Sequence, residues 1–141
     1  GPNLYQYVKN TSIQWVDTLG LCTRRYVPAP SNYNCMAYGV GSDIWEQDPT
    51  GTNPNAVPPK FGCRKINCSK NCKEKCEHKI RIYEDLGDPT NWHVYRKDGD
   101  DWSCKYGQMG IGYVCDSPTS DYKNVYKPKG SIKASCWCCP N

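Results

Sequence analysis

Trp92-His93-Val94-Tyr95-Arg96 and Trp102-Ser103-Cys104-Lys105-Tyr106 are two runs of alternating side chains, joined through Lys97-Asp98-Gly99-Asp100. An Asp-Gly pair between alternating runs is a strong hairpin signal, because glycine supplies the positive φ that a tight turn demands. The alternation continues outward on both sides. His78-Lys79-Ile80-Arg81-Ile82-Tyr83 puts Ile80 and Ile82 on one face of a strand, and Gly110-Ile111-Gly112-Tyr113-Val114-Cys115 reads as another. Together these stretches predict an antiparallel sheet of about four strands. Residues 3–27, with Tyr5, Tyr7, Val8, Ile13, Trp15, Val16 and Leu19, suit a further strand or two, and Tyr33–Trp45 a short one.

The one helix expected lies over residues 67–79, capped by Ser69, with Cys72 and Cys76 on its inward stripe. Residues 47–60 hold four prolines, Gly51 and two asparagines, and read as a long extended or mobile loop. The sum is an α+β fold: a single disulfide-rich domain with one short helix on the sheet and long loops. Gly1-Pro2 reads as an expression-tag scar, leaving 3–141 as one disulfide-stapled domain.

A sheet this size needs a core, and the sequence is poor in aliphatics. Hydrophobic residues are 38% of 141, much of that Tyr, Trp and Cys, with one Phe and four Leu. Aromatics and covalent staples must make up the deficit. Eleven cysteines stand at Cys22, Cys35, Cys63, Cys68, Cys72, Cys76, Cys104, Cys115, Cys136, Cys138 and Cys139. Such a load belongs to an oxidising compartment, so the chain is expected to be secreted. Two sequons, Asn10-Thr11-Ser12 and Asn67-Cys68-Ser69, are compatible with that. The odd count leaves one cysteine unpaired, and connectivity stays open. Adjacent Cys138 and Cys139 point apart and should serve different partners. Cys63-x4-Cys68, Cys72-x3-Cys76-x-His78 and Cys136-x-Cys138-Cys139 lack the paired two-residue knuckles of a structural zinc site. Neither metal nor cofactor is expected.

The net charge is +4, yet residues 60–81 carry eight basic side chains against Glu74 and Glu77. Lys65, Lys70, Lys73, Lys75 and Lys79 form the expected basic surface, which is either the solvated face of the helix or an anion-facing patch. His78 and His93 are the only histidines, and an acid–base pair would need both on facing positions of paired strands. Gly-x-Ser-x-Gly and His-Glu-x-x-His are absent, and no catalytic residue is assigned. The five tryptophans and eleven tyrosines are read mainly as core. No apolar run approaches the roughly 20 residues of a membrane span.

A Tyr/Trp-rich chain with an odd cysteine and no catalytic signature resembles the small cysteine-rich effectors of plant-pathogenic fungi. In length and cysteine load it is similar to the extracellular avirulence-type effectors, including the LARS group (Leptosphaeria avirulence and suppressing). Trp92-His93-Val94-Tyr95-Arg96-Lys97 is the stretch nearest that group's Trp-Arg-aromatic-basic signature, keeping Trp, Tyr and a base but not the spacing. The resemblance implies a helix on a four-stranded antiparallel sheet tied by several disulfides. It also implies virulence work in the host apoplast, with recognition by a plant immune receptor or masking of that recognition. The expected protein is thus a monomeric, non-enzymatic effector that binds a host plant protein or receptor and no nucleic acid. Its expected surfaces are the 47–60 loop, the basic helix and the Asp98-Gly99 turn. The alternatives are a ribonuclease-like enzyme using His78 and His93, or an animal toxin or protease inhibitor.

Overall fold

A computed structural model describes residues 14–16, 23–114 and 117–141. Gly1-Pro2, the first sequon, Cys22, Cys115 and most of the stretch 3–22 lie outside the described residues.

The alternating runs form strands, and there are more of them than the sequence predicts. β1 (Gln14–Val16), β2 (Thr23–Val27), β3 (Arg64–Ile66), β4 (Glu77–Asp85), β5 (Asp88–Asp98), β6 (Asp101–Lys105), β7 (Ile111–Tyr113) and β8 (Ile132–Pro140) lie in the order β1-β2-β7-β6-β5-β4-β8-β3. Every pairing is antiparallel, and β2 through β3 make a seven-stranded sheet that β1 extends at one edge. The expectation of about four strands is corrected. β4 to β7 are the four strands read from alternation, and β1 and β2 fall within residues 3–27, where a further strand or two is expected. β3 is too brief for alternation to register, and β8 hides its pattern in consecutive cysteines.

Gly99, at φ 62°, turns β5 into β6, as the Asp-Gly pair requires. Pairing in β4–β5 and β4–β8 sorts the side chains into two faces. One face carries Ile80, Ile82, Val94 and Trp137; the other carries Tyr83 and Tyr95. The first is covered by α1 (Cys35–Val40), the second by α2 (Pro118–Tyr126).

Neither helix is the expected one. Residues 67–76 form turns and β4 begins at Glu77. Asn67, rather than Ser69, organises the segment, its Oδ1 accepting from both the amide and the hydroxyl of Ser69. The carbonyls of Cys68 and Lys70, which a helix would spend on its own amides, accept instead from Lys79 Nζ at 2.7 and 2.5 Å. Helix α1 replaces the short strand expected in Tyr33–Trp45. Asn34 caps it by accepting from the Ala37 amide, and Gly41 ends it at φ 87°. Gly39 lets the helix lie against the sheet, since a Cβ there would stand 2.8 Å from Val94 Cγ1.

The 47–60 loop is folded rather than extended. Asp48 gathers it by accepting from the amides of Thr50 and Asn53 and from the Thr50 hydroxyl. Two 3-10 turns, Pro54–Ala56 and Pro58–Phe61, follow, with Pro54, Val57 and Pro58 buried. Asn55 pins them to the sheet through Glu84, Ser135 and the Trp137 indole.

The tyrosine-rich face is the aromatic core that the composition calls for. Tyr26, Tyr83, Tyr95, Tyr106 and Tyr122 are buried there. Asp121 of α2, itself buried, accepts from the hydroxyls of Tyr95 at 2.6 Å and Tyr106 at 3.1 Å.

Candidate functional site: a thiol-bearing pocket at the open edge of β5

β6 pairs only with the Arg96–Asp98 end of β5. Along Trp92–Tyr95 the sheet therefore has an edge where its two covered faces meet. A cavity of about 370 Å3 opens there, lined by Asn34, Cys35, Trp45, Gln47, Thr50, Gly51, Thr90, Trp92, His93, Gly107 and Tyr126. The residues come from the start of α1, the Asp48-centred loop, β5 and the end of α2.

Each wall is fixed by a local interaction. Asn34 caps α1 and also donates from Nδ2 to the Glu46 carbonyl, tying the helix start to the Trp45 segment. Trp92 Nε1 donates to the Gly51 carbonyl at 2.8 Å, closing the loop over β5. Trp45 is 43% exposed and its Nε1 donates to Gln47 Oε1 at 3.1 Å. His93 stacks on Tyr126 with ring centroids 4.2 Å apart and on Tyr106 at 5.8 Å, and its Nε2 lies 3.3 Å from Tyr126 Oη.

Cys35 is a free thiol, 6% exposed. Burial pushes its pKa up to about 12, against the pull of the backbone amides of Val94, Met36 and Cys35 itself and of the Lys105 ammonium. Burial alone drives His93 the other way, down to about 3. Lys105 is buried near Cys35; its Nζ donates to the Gly107 carbonyl at 2.6 Å and lies 4.5 Å from the Tyr33 ring. Desolvation lowers its pKa, while Cys35 works to raise it.

The other site residues expected from sequence fall elsewhere. Cys63–Cys139, Cys68–Cys136 and Cys72–Cys138 are disulfides, and Cys138 and Cys139 do take separate partners. Cys136 and Cys138 share the α2 face with the 67–76 loop, whereas Cys139 faces α1, so one strand staples both sides of the sheet. Cys76 is exposed and free, and Cys104 is buried among the tyrosines. Among the described residues, Cys35 and Cys76 carry free thiols. Cys72, Cys138 and Glu77 cluster within 4.8 Å, but the two sulfurs are bonded to each other and are not thiolate ligands.

Lys65, Lys70, Lys73 and Lys75 are exposed. Lys79 is not: it is 6% exposed, because β4 turns it beneath the 67–76 loop. It therefore leaves the basic surface. His78 and His93 stand on opposite faces of the sheet. His78 shares the Ile80 face and is held between the Gly39 carbonyl and Asn141, while His93 pairs with Tyr83 on the other. The acid–base pair that a ribonuclease-like enzyme needs is not assembled from them.

Sequence reasoning counted Cys35 among the disulfide candidates and missed its pocket. The signal was Asn34, a capping residue directly before Cys35-Met36-Ala37.

The fold and its pocket define a disulfide-stapled antiparallel sheet protein with a free thiol facing a cavity. The chain belongs to the family described as Domain of unknown function (DUF7689), which it matches over residues 25–124. That span holds every pocket residue named above except Tyr126. It includes Cys63, Cys68 and Cys72 but ends before their partners on β8. No curated protein and no solved structure matches the chain.

Proposed function

We propose that this chain is a secreted effector-type protein that acts in the plant apoplast, where it binds a host protein or receptor at the β5-edge pocket. The observation that carries the reading is the pocket itself, set on a sheet that three disulfides clamp among the described residues. Disulfides of that number suit an oxidising compartment. Among the described residues no helix is long and apolar enough to cross a membrane.

Aromatic anchors in a partly open cavity are the usual means by which a small protein gains binding energy. Trp45 and Trp92 supply them, and the 45–51 loop that carries the first is braced rather than floppy, which lowers the ordering cost of binding. The exposed lysines at 65, 70, 73 and 75 lie apart from the pocket in sequence and add a basic patch that favours encounter with an acidic partner.

The test is infiltration of the oxidised protein into leaf apoplast, with pathogen growth and host cell death as readouts. The expected result is a host response that Trp45→Ala weakens at least tenfold in dose while leaving the fold unchanged. Identical dose responses for wild type, Trp45→Ala and the reduced chain would overturn the reading.

A further inference from the structure

We infer that Arg81 and Lys97, on the tyrosine-bearing face of the sheet, form a binding site for a phosphate group. This goes beyond the pocket reading and does not rest on it, since neither residue lines the β5-edge cavity. The strand register brings the cations together. Lys79 on β4 stands directly opposite Lys97 on β5, and Arg81 follows Lys79 on the same side of its strand. Trp102 on β6 stands opposite Lys97 in turn.

Shared contacts hold the three charges close. Lys79 Nζ and Arg81 Nη2 both donate to the Cys68 carbonyl, at 2.7 and 3.5 Å. The Arg81 guanidinium carbon and Lys97 Nζ both lie over the Trp102 indole, 5.0 and 5.9 Å from its ring centroid. Arg81 is thus the middle of the group, joined to one lysine through a carbonyl and to the other through a ring. Like charges directly across a strand pair destabilise a sheet. Burial lowers the Lys79 pKa, and the charges of Arg81 and Lys97 lower it further.

Among the described residues no carboxylate pairs with any of the three. Glu77 and Asp98, on the same two strands, are engaged by Arg64 at 3.2 Å and Arg96 at 2.9 Å. On β8, Cys138 and Cys136 stand opposite Lys79 and Arg81, and both are disulfide-bonded. Arg81 donates only to uncharged oxygens, Tyr83 Oη at 3.3 Å and the Cys68 carbonyl. Its Nε is buried without a partner. Buried donors in folded proteins are paired, so an orphaned one at the centre of a cation cluster points to an anion as the missing acceptor.

Charge and shape together select phosphate over a carboxylate. A carboxylate brings one negative charge against a cluster of three positive ones, whereas a phosphate monoester brings about −1.5 to −2 and three acceptor oxygens. Those oxygens can accept from Lys97 Nζ and from the unspent guanidinium hydrogens of Arg81 at once. Arg81, Lys97 and Trp102 are half-buried, so the group reaches them from solvent, while Lys79 supplies its charge from beneath the 67–76 loop. The indole sets both side chains in place beforehand, which lowers the ordering cost of binding.

The experiment is calorimetric titration of the oxidised protein with inorganic phosphate, glucose 6-phosphate and acetate, at neutral pH and an ionic strength held constant with sodium chloride. The expected result is saturable one-to-one binding of phosphate, with acetate weaker by about tenfold or more. Lys97→Gln and Arg81→Gln should each weaken phosphate binding about tenfold, while Lys65→Gln and Lys75→Gln, on exposed lysines, change it by less than about twofold. Glucose 6-phosphate binding as tightly as inorganic phosphate assigns the site to a phosphate ester, and its failure to bind assigns it to the free ion. If Arg81→Gln loses the wild-type disulfide map, Lys97→Gln alone decides. Absence of saturable binding, acetate binding as tightly as phosphate, an unchanged affinity in Lys97→Gln, or an equal loss in Lys75→Gln overturns the inference.

Discussion

At the scale of single residues, the molecule keeps several polar groups where water cannot reach, and each makes a measurable demand. His93 is held down to about pKa 3 by burial, against 6.5 when unfolded. Between those values the unfolded chain binds a proton that the folded one refuses, so stability falls as pH drops through the window, by about 1.4 kcal/mol per pH unit. Asp85 acts with the same sign at lower pH. Burial works to raise its pKa, but the amides of Lys129, Gly130 and Gly87 and the Asn91 side chain hold it at about 2, so its contribution is lost as pH falls from 3.8. Urea midpoints measured from pH 7 to pH 3 should fall steadily, and His93→Phe should flatten the slope between pH 6.5 and 4. A second demand comes from Asp121, which satisfies two buried tyrosine hydroxyls. Asp121→Ala leaves both without that acceptor and should cost roughly 3 kcal/mol in urea unfolding.

At the scale of elements, α1 matters most, because it sets the position of Cys35. Its packing depends on the bare backbone of Gly39 against Val94 and Ile80. Gly39→Ala overpacks that contact and should destabilise by about 1–3 kcal/mol, read as a lowered thermal midpoint with an unchanged disulfide map. The 67–76 loop depends on Lys79 beneath it. Lys79→Met strips the donor from two carbonyls, and limited proteolysis should cut the 67–76 segment sooner than in wild type while sparing the sheet.

Element by element, legibility follows pattern length. β4, β5 and β6 were readable because each gives several alternations, and Asp98-Gly99 fixed one connection. The 67–79 segment misled because Lys, Glu and Ser suit a solvated helix face as well as a disulfide-held loop, and only tertiary partners decide between them. Helix α2 escaped because Thr119, Ser120, Asp121 and Asn124 look like loop residues, while the apolar stripe it needs is made of Tyr122, Val125 and Tyr126. The pocket was half legible: His93 stood out as one of two histidines, but nothing local ties it to Cys35, some sixty residues earlier. Both line one cavity because β6 stops pairing with β5 at Arg96.

At the scale of the whole molecule, the terminal strand β8 fastens the domain. Its cysteines close loops of 76, 68 and 66 residues, and a single long-loop disulfide contributes about 4 kcal/mol on the chain-entropy account. Because the loops overlap, the three do not add in full. The paired change Cys72→Ala with Cys138→Ala should cost about 2–5 kcal/mol, and full reduction should unfold the chain at ambient temperature. The scaffold thus explains how a chain with one Phe and four Leu can hold a rigid cavity.

The most direct test of this account is non-reducing peptide mapping with thiol alkylation of the denatured, oxidised protein. The account predicts peptides linked as Cys63–Cys139, Cys68–Cys136 and Cys72–Cys138, with Cys35 and Cys76 recovered as alkylated thiols. Recovery of Cys35 in a disulfide, or of the β8 cysteines as free thiols, would contradict it.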